Sequence, residues 1–429
     1  MALPSVITVT QELIRRDTSN PPGNEIACVD YLSELFQEAG FDPIVLAKEK
    51  ERANLVVRLA GRGEAPPLLF YGHLDVVTTE NQVWTFPPFA GHIEDGYLWG
   101  RGSLDMKGGV AMLACSLLEA RKRGIVPAGD IIYCAVSDEE AGGDFGASFL
   151  VDEHPDLFDG VQYAIGEFGG FSIRFGGQTY YPIMVGEKQI CHVRATAKGV
   201  SGHASAPVRD GAVSRLARFI SLLEEKQPAL LIEPPVRQLI ETISGSVPEL
   251  MGLMDEKTAD AVLAGLGPYA NVFAPLLRAT VCPTMISASS ILNVIPAEAK
   301  VDLDCRLLPS QKPDDVLDHL NELAGDLVDI ELVRYEEGTG IPDMTMFDML
   351  GQILQDADVG AKVCPFVLSG STDGRHFKRL GIQTYGFTPL KLPVDFDFFN
   401  LAHAPDERVP TAALEFGVER LVELLKRYC

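Results

Sequence analysis

Ile131-Ile132-Tyr133-Cys134-Ala135-Val136-Ser137-Asp138-Glu139-Glu140 is the stretch on which the fold turns. Its first six residues form an unbroken apolar run of strand length, as expected of a strand buried on both faces in a sheet covered by helices. Two adjacent glutamates follow at once. At the end of a buried strand they repel each other and lose their water, unless protons or cations neutralise them. Neutralisation by metal ions is the economical account.

Working outward, similar apolar runs occur at Leu68 to Tyr71 and Val161 to Ile165, with an amphipathic helix predicted near Gly108 to Arg123 and stopped by Gly124. Leu13 to Leu35 is helical in period and broken by the turn Asn20-Pro21-Pro22-Gly23. Strand and helix alternate in this way through residue 167, which is an α/β signature. Loops beside these elements carry His73 and Asp75, Asp105, Glu139 and Glu140, and Glu167; His403 lies just before a final helix predicted over Thr411 to Arg427. In an open α/β sheet the strand ends converge on one crevice. Two imidazoles among several carboxylates, without thiolates, suit borderline divalent ions such as zinc, cobalt or manganese. Each residue taken singly is more often structural or merely solvated.

From about residue 188 the order changes to strand (Gln189 to Ala197), helix (Gly211 to Glu225), strand (Met285 to Ile291), strand (Ala299 to Leu307), helix (Pro313 to Leu323) and strand (Leu327 to Tyr335). This β-α-β-β-α-β order is ferredoxin-like. The expectation is therefore a discontinuous metal-binding domain, 1–187 and 337–429, holding an inserted α+β domain, 188–336. Gly338-Thr339-Gly340 is the return linker, and 228–284 is read as partly helical extra structure. The chain then returns with strands at Pro365 to Leu368 and Ile382 to Phe387.

Composition narrows the classes. The 429 residues carry 36 basic and 60 acidic side chains, a net charge of −24 that repels nucleic acid and anionic membranes. The amino terminus lacks a basic stretch followed by an apolar one, and no apolar run approaches the roughly 20 residues that span a bilayer. A cytoplasmic protein is expected. Eight cysteines without a CxxC pair, several inside apolar runs, read as reduced thiols.

Taken together, Gly72-His73-Leu74-Asp75, Gly100-Arg101-Gly102-Ser103-Leu104-Asp105-Met106-Lys107-Gly108-Gly109, Ser137-Asp138-Glu139-Glu140, Gly166-Glu167, Gly202-His203-Ala204-Ser205, Asn293-Val294-Ile295-Pro296 and Ala402-His403-Ala404-Pro405-Asp406-Glu407 resemble a known set. They are similar to the motifs of the metallopeptidase family that holds acetylornithine deacetylase, succinyl-diaminopimelate desuccinylase, aminoacylase and carboxypeptidase G. The resemblance implies a two-metal hydrolase of amide or peptide C–N bonds in small N-acyl amino acids or peptides. His73 and Glu167 would hold one ion, Glu140 and His403 the other, and Asp105 both. Asp75 would orient His73, and Glu139 would be the general base. The resemblance further implies a homodimer through the insert, with His203 stabilising the oxyanion in the partner's site. Arg306 would grip a substrate carboxylate, although a surface ion pair also explains it. Asn293 and the turn Gly370, Ser371 and Thr372 could contact substrate, and a structural turn explains the latter nearly as well.

One departure stands out: many relatives have Pro after the carboxylate matched by Glu167, where this chain has Phe168-Gly169-Gly170. Carboxypeptidase or dipeptidase action and N-acyl amino acid deacylation both stay open. A metal-binding homologue without catalysis is the reading from another class. A glycosidase fits less well, since it leaves the histidines idle.

Overall fold

The computed structural model describes residues 3–428. The chain forms two compact units: Met1–Val185 with Asp343–Phe366 and Thr372–Cys429, and Gly186–Pro342 with Val367–Ser371. The short return segment Val367–Ser371 thus groups with the inserted unit.

In the first unit, four parallel strands run side by side in the order Ile131–Val136, Leu68–His73, Tyr163–Gly166 and Gln383–Gly386. Antiparallel strands extend the sheet, among them Ala53–Leu59 beside Ile131–Val136. Successive residues of Ile131–Val136 serve two cores. Ile131, Tyr133 and Ala135 join the core that contains the helix Lys107–Lys122, whereas Ile132, Cys134 and Val136 join the one formed with Ala147–Glu153. Side chains alternate across a strand, so a strand covered on both faces is apolar at every position. Lys107–Lys122 ends where Gly124 turns to a positive φ of 67°, with Arg121 and Lys122 on its last turn facing the negative end of the helix dipole. The terminal helix Thr411–Arg427 packs along it.

In the second unit the sheet is fully antiparallel, ordered Thr280–Ser287, Glu298–Leu307, Gln189–Lys198 and Asp329–Glu336. Helices Ala212–Glu225 and Pro313–Ala324 share its buried core with Cys191, Val193, Ala195 and Ala197. The β-α-β-β-α-β order holds. The segment 228–284 contains the helices Pro234–Ser244 and Ala259–Gly265, but its last residues belong to a strand. That strand covers Thr280–Ser287 and not Met285 to Ile291. It lies at the sheet edge with a register shift between Pro283 and Met285, and Met285 and Ile286 are exposed. A proline at a bulged edge and apolar residues left in solvent erase the alternation that marks a half-buried strand.

No helix among the described residues is long and apolar enough to cross a membrane. Among the described residues seven cysteines are free, six of them buried.

Candidate metal centre

The parallel strands deliver the acidic and imidazole side chains to one end of the sheet. His73 closes its strand, Glu167 follows Tyr163–Gly166 directly, and Glu139 and Glu140 form a short turn after Ile131–Val136. Nε2 of His73 lies 3.0 Å from Oδ1 of Asp105 and 3.6 Å from Glu167 Oε2. Nε2 of His403 lies 3.2 Å from Oδ2 of Asp105 and 3.1 Å from Glu140 Oε1. Asp105 therefore offers one oxygen to each group. The result is two three-residue sets, His73-Asp105-Glu167 and Asp105-Glu140-His403, each tight enough to hold an ion. Glu139, on the same turn as Glu140, is in neither set.

Supporting contacts fix these atoms. Nδ1 of His73 donates to the backbone carbonyl of Asp75 at 3.0 Å, which leaves the lone pair on Nε2 facing Asp105 and Glu167. The Asp75 carboxylate stands 3.6 Å from Nδ1 of that ring and also holds the neighbouring turn. It accepts from the backbone N–H groups of Glu139 and Glu140, both at 3.1 Å, and from the Asn20 amide at 2.8 Å. Asp105 is anchored by Glu407, whose carboxylate takes the N–H groups of Leu104 and Asp105 while pairing with fully buried Arg101 at 2.6 Å. Arg101 also donates to the His403 carbonyl at 3.0 Å, so one ion pair ties both loops. Arg52 pairs with Glu25 and Asp138 at 2.8 Å each and braces the start of the Glu139 turn.

Sequence reasoning assigned no roles to Asn20, Glu25, Arg52, Arg101 and Glu407. Arg101 and Glu407 stand inside the motifs, where a charged pair flanking two ligands was a usable signal. Glu25 and Arg52 carry no local signal at all. Asp138, Phe168 and His403 hold positive φ values of 70°, 60° and 63°. Left-handed backbone in such residues is costly and gathers at functional sites. Phe168 directly follows the ligand Glu167.

The electrostatics of the site are those of too much buried negative charge. Burial, then the Glu167 charge, pushes the Glu139 carboxyl well above its usual range. Burial also raises Glu167, whose hydrogen bond to His73 only partly opposes it. Burial would lower His73, yet its hydrogen bonds to Asp105 and Asp75 win and push it well above the ordinary histidine value. Hydrogen bonds to Asp105 and Glu140 push His403 up to about 10. With nothing bound, the cluster thus keeps protons on imidazoles that divalent ions would displace. Nitrogen and oxygen donors without sulfur fit zinc, cobalt or manganese.

The inserted unit places the remaining residues. His203 and Val294 pair in a two-stranded ribbon, which brings His203 beside Asn293. The His203 ring accepts the Ser205 N–H on Nδ1 at 3.2 Å, so in the neutral ring Nε2 carries the proton and is free to donate. Arg306 is not brought to them. The ribbon hangs from the Glu298 end of Glu298–Leu307, where Gly199 N–H donates to the Ala297 carbonyl, and Arg306 lies roughly 26 Å along that strand. Its guanidinium pairs with Asp304 at 2.8 Å. Gly370 and Ser371 are half-buried. Thr372 is fully buried in the first unit, and its hydroxyl accepts the Gly374 N–H at 3.0 Å.

Two ligand sets sharing one carboxylate at the carboxyl end of a parallel sheet, with a further glutamate held beside them, define a metal-dependent hydrolase of the two-metal type. Residues 69–427 match the profile of Peptidase family M20/M25/M40, and the chain belongs to that family. It is 27% identical over 401 residues to a probable carboxypeptidase S-like protein of Dictyostelium discoideum, covering 87% of this chain and 74% of that one. It is 29% identical over 324 residues to a probable succinyl-diaminopimelate desuccinylase of Staphylococcus aureus, covering 75% and 72%. The fold is similar to that of an M20 family metallo-carboxypeptidase from Sulfolobus solfataricus, with a TM-score of 0.71 at 19% identity over 99% of both chains. The chain is a metal-dependent hydrolase of amide bonds.

Proposed function

We propose that this hydrolase cleaves the C–N bond of a small N-acyl amino acid or peptide, with Glu139 as general base. The observation that carries the reading is the division of labour in one turn: Glu140 belongs to a ligand set, and its neighbour Glu139 does not. His73 and Glu167 hold one divalent ion, Glu140 and His403 the second, and Asp105 both; zinc is the first choice, cobalt or manganese the alternatives. When bound, the ions acidify a water and polarise the scissile carbonyl. Glu139 takes the proton from that water and returns it to the leaving amine. Asp75 holds the Glu139 and Glu140 N–H groups and so sets where the base stands.

His203 of a second copy donates from Nε2 to the oxyanion in a homodimer. Its tautomer suits a donor, and exposed Met285, Ile286, Ile291 and Leu292 give the inserted unit an apolar surface for self-association. The inserted unit, 188–336, serves as that dimerisation and lid element. Arg306 and the turn Gly370, Ser371 and Thr372 of one chain bind the substrate's polar end, and Asn293, beside His203, approaches it from the second copy. The free cysteines suit a cytoplasmic setting. Relatives named for carboxypeptidase and for desuccinylase activity support both peptide and N-acyl amino acid substrates.

The test is hydrolysis of a panel of N-acyl amino acids and dipeptides by metal-stripped protein, before and after addition of zinc, cobalt or manganese. Metal restores cleavage in the wild type and not in Glu139→Gln, which still binds metal. Near-normal turnover by Glu139→Gln removes it from the mechanism.

A further inference from the structure

Behind the Glu139 turn stands a second group of ionisable side chains that the mechanism above does not use: Asp373, Arg375 and His376, on the turn and short helix that end in Lys378. Arg375 is almost entirely buried, and its Nη1 lies 3.8 Å from Oε1 of Glu139, itself only 12% exposed. The guanidinium is held from two sides. Nη1 donates to the Thr372 carbonyl at 2.7 Å, and Nη2 donates to the Gly142 carbonyl at 3.2 Å. Nε2 of His376 also reaches that carbonyl, at 3.1 Å. Gly142 closes the turn that carries Glu139 and Glu140, so the same guanidinium touches the base and the backbone of its loop.

The packing leaves no slack. Gly143, with φ of 81°, sits so close to His376 and Asp373 that a Cβ there would fall 2.7 Å from His376 Nε2 and 3.0 Å from Asp373 Oδ1. A rigid cation fixed by two carbonyls, near a carboxylate that must be neither bound to metal nor free to swing, has one evident use. A general base works only within hydrogen-bond reach of its proton, and displacements of about 1 Å cost rate steeply.

We propose that Arg375 is a positioning residue for Glu139: it orients the base and holds the Glu139–Gly142 turn against the Asp373–Lys378 helix. This rests on Glu139 being the base. Arg375 acts on turnover through the turn that carries Glu139.

The test is a double-mutant cycle in the metal-loaded enzyme, with kcat, KM and bound metal measured for Arg375→Met, Arg375→Lys, Glu139→Gln and Arg375→Met with Glu139→Gln. Arg375→Met is expected to lower kcat about 10- to 100-fold, with KM and metal content unchanged, and added guanidinium restores part of it. In the Glu139→Gln background the same change has no further effect. Arg375→Lys, which keeps the charge without the two-sided grip, falls between, and it carries the test if the Met variant does not fold. An unchanged kcat, an effect confined to KM, or an equal fold-loss with and without Glu139 overturns the proposal. Failure of the underlying reading shows separately, as full activity in Glu139→Gln alone.

Discussion

The turn Glu139–Ala141 in the first unit and the ribbon at Gly202–His203 in the inserted unit both present ionisable groups to chemistry, and they are built in opposite ways. The first is held by Asp75, Arg375 and the Arg52–Asp138 pair, with its charges buried among others. The second is exposed, and among the described residues Ser205 steadies the His203 ring. Burial makes a charge strongly dependent on its neighbours, so the first region is complete within the chain. The second has a tautomer ready to donate and nothing of its own to donate to.

The sharpest attack on this contrast is Asp105→Asn. Because Asp105 belongs to both ligand sets, its loss is expected to remove both ions and lower turnover by at least ~10³-fold. Metal analysis finding two ions per chain would break the idea of a shared ligand.

His203→Ala should instead fold, keep its full metal content, and lose about 10²- to 10³-fold in kcat. Mixing it with inactive Glu139→Gln chains sharpens the comparison. Heterodimers that recover part of the activity place His203 in the partner's site; none recovered argues for an action within one chain.

Stability should divide the same way. Arg101→Met removes one member of a fully buried pair and leaves Glu407 uncompensated, a loss of about 3–5 kcal/mol seen in denaturant titration. Arg194→Met, which breaks the half-exposed pair with Asp302 on the inserted sheet, should cost less than ~1 kcal/mol.

The smallest effect is a pH dependence of the metal-free protein. His403, raised from 6.5 to about 10 by Asp105 and Glu140, contributes stability that is complete below about 6.5 and is lost as the pH climbs through 10. Scanning calorimetry should show the metal-free melting temperature falling by a few degrees from pH 7 to 10. Loading with zinc should flatten that slope, since metal binding has already displaced the proton.

Much of this was legible in the chain because burial writes itself into local pattern. Ile131–Val136 is apolar throughout because helices cover both faces, and the terminal helix begins at Thr411 and ends at Arg427 as its periodicity predicts. The strand Thr280–Ser287 was misplaced because an exposed edge with Pro283 carries no such pattern. Arg375 went unread for another reason: its importance depends on Gly142 and Glu139, more than 200 residues away in the chain.

By itself, then, the sequence determined the kinds of side chain available, the order of strands and helices, and the loops on which the ligands sit, since each follows from neighbours in the chain. Only the tertiary structure decided that Asp105 faces His73 with one oxygen and His403 with the other, that Asp75 takes the N–H groups of the Glu139 turn, and that Arg375 reaches Glu139. Those outcomes depend on distances of a few ångströms between atoms, and where such partners lie far apart in sequence it is the packing of the sheet and its helices that sets the distance.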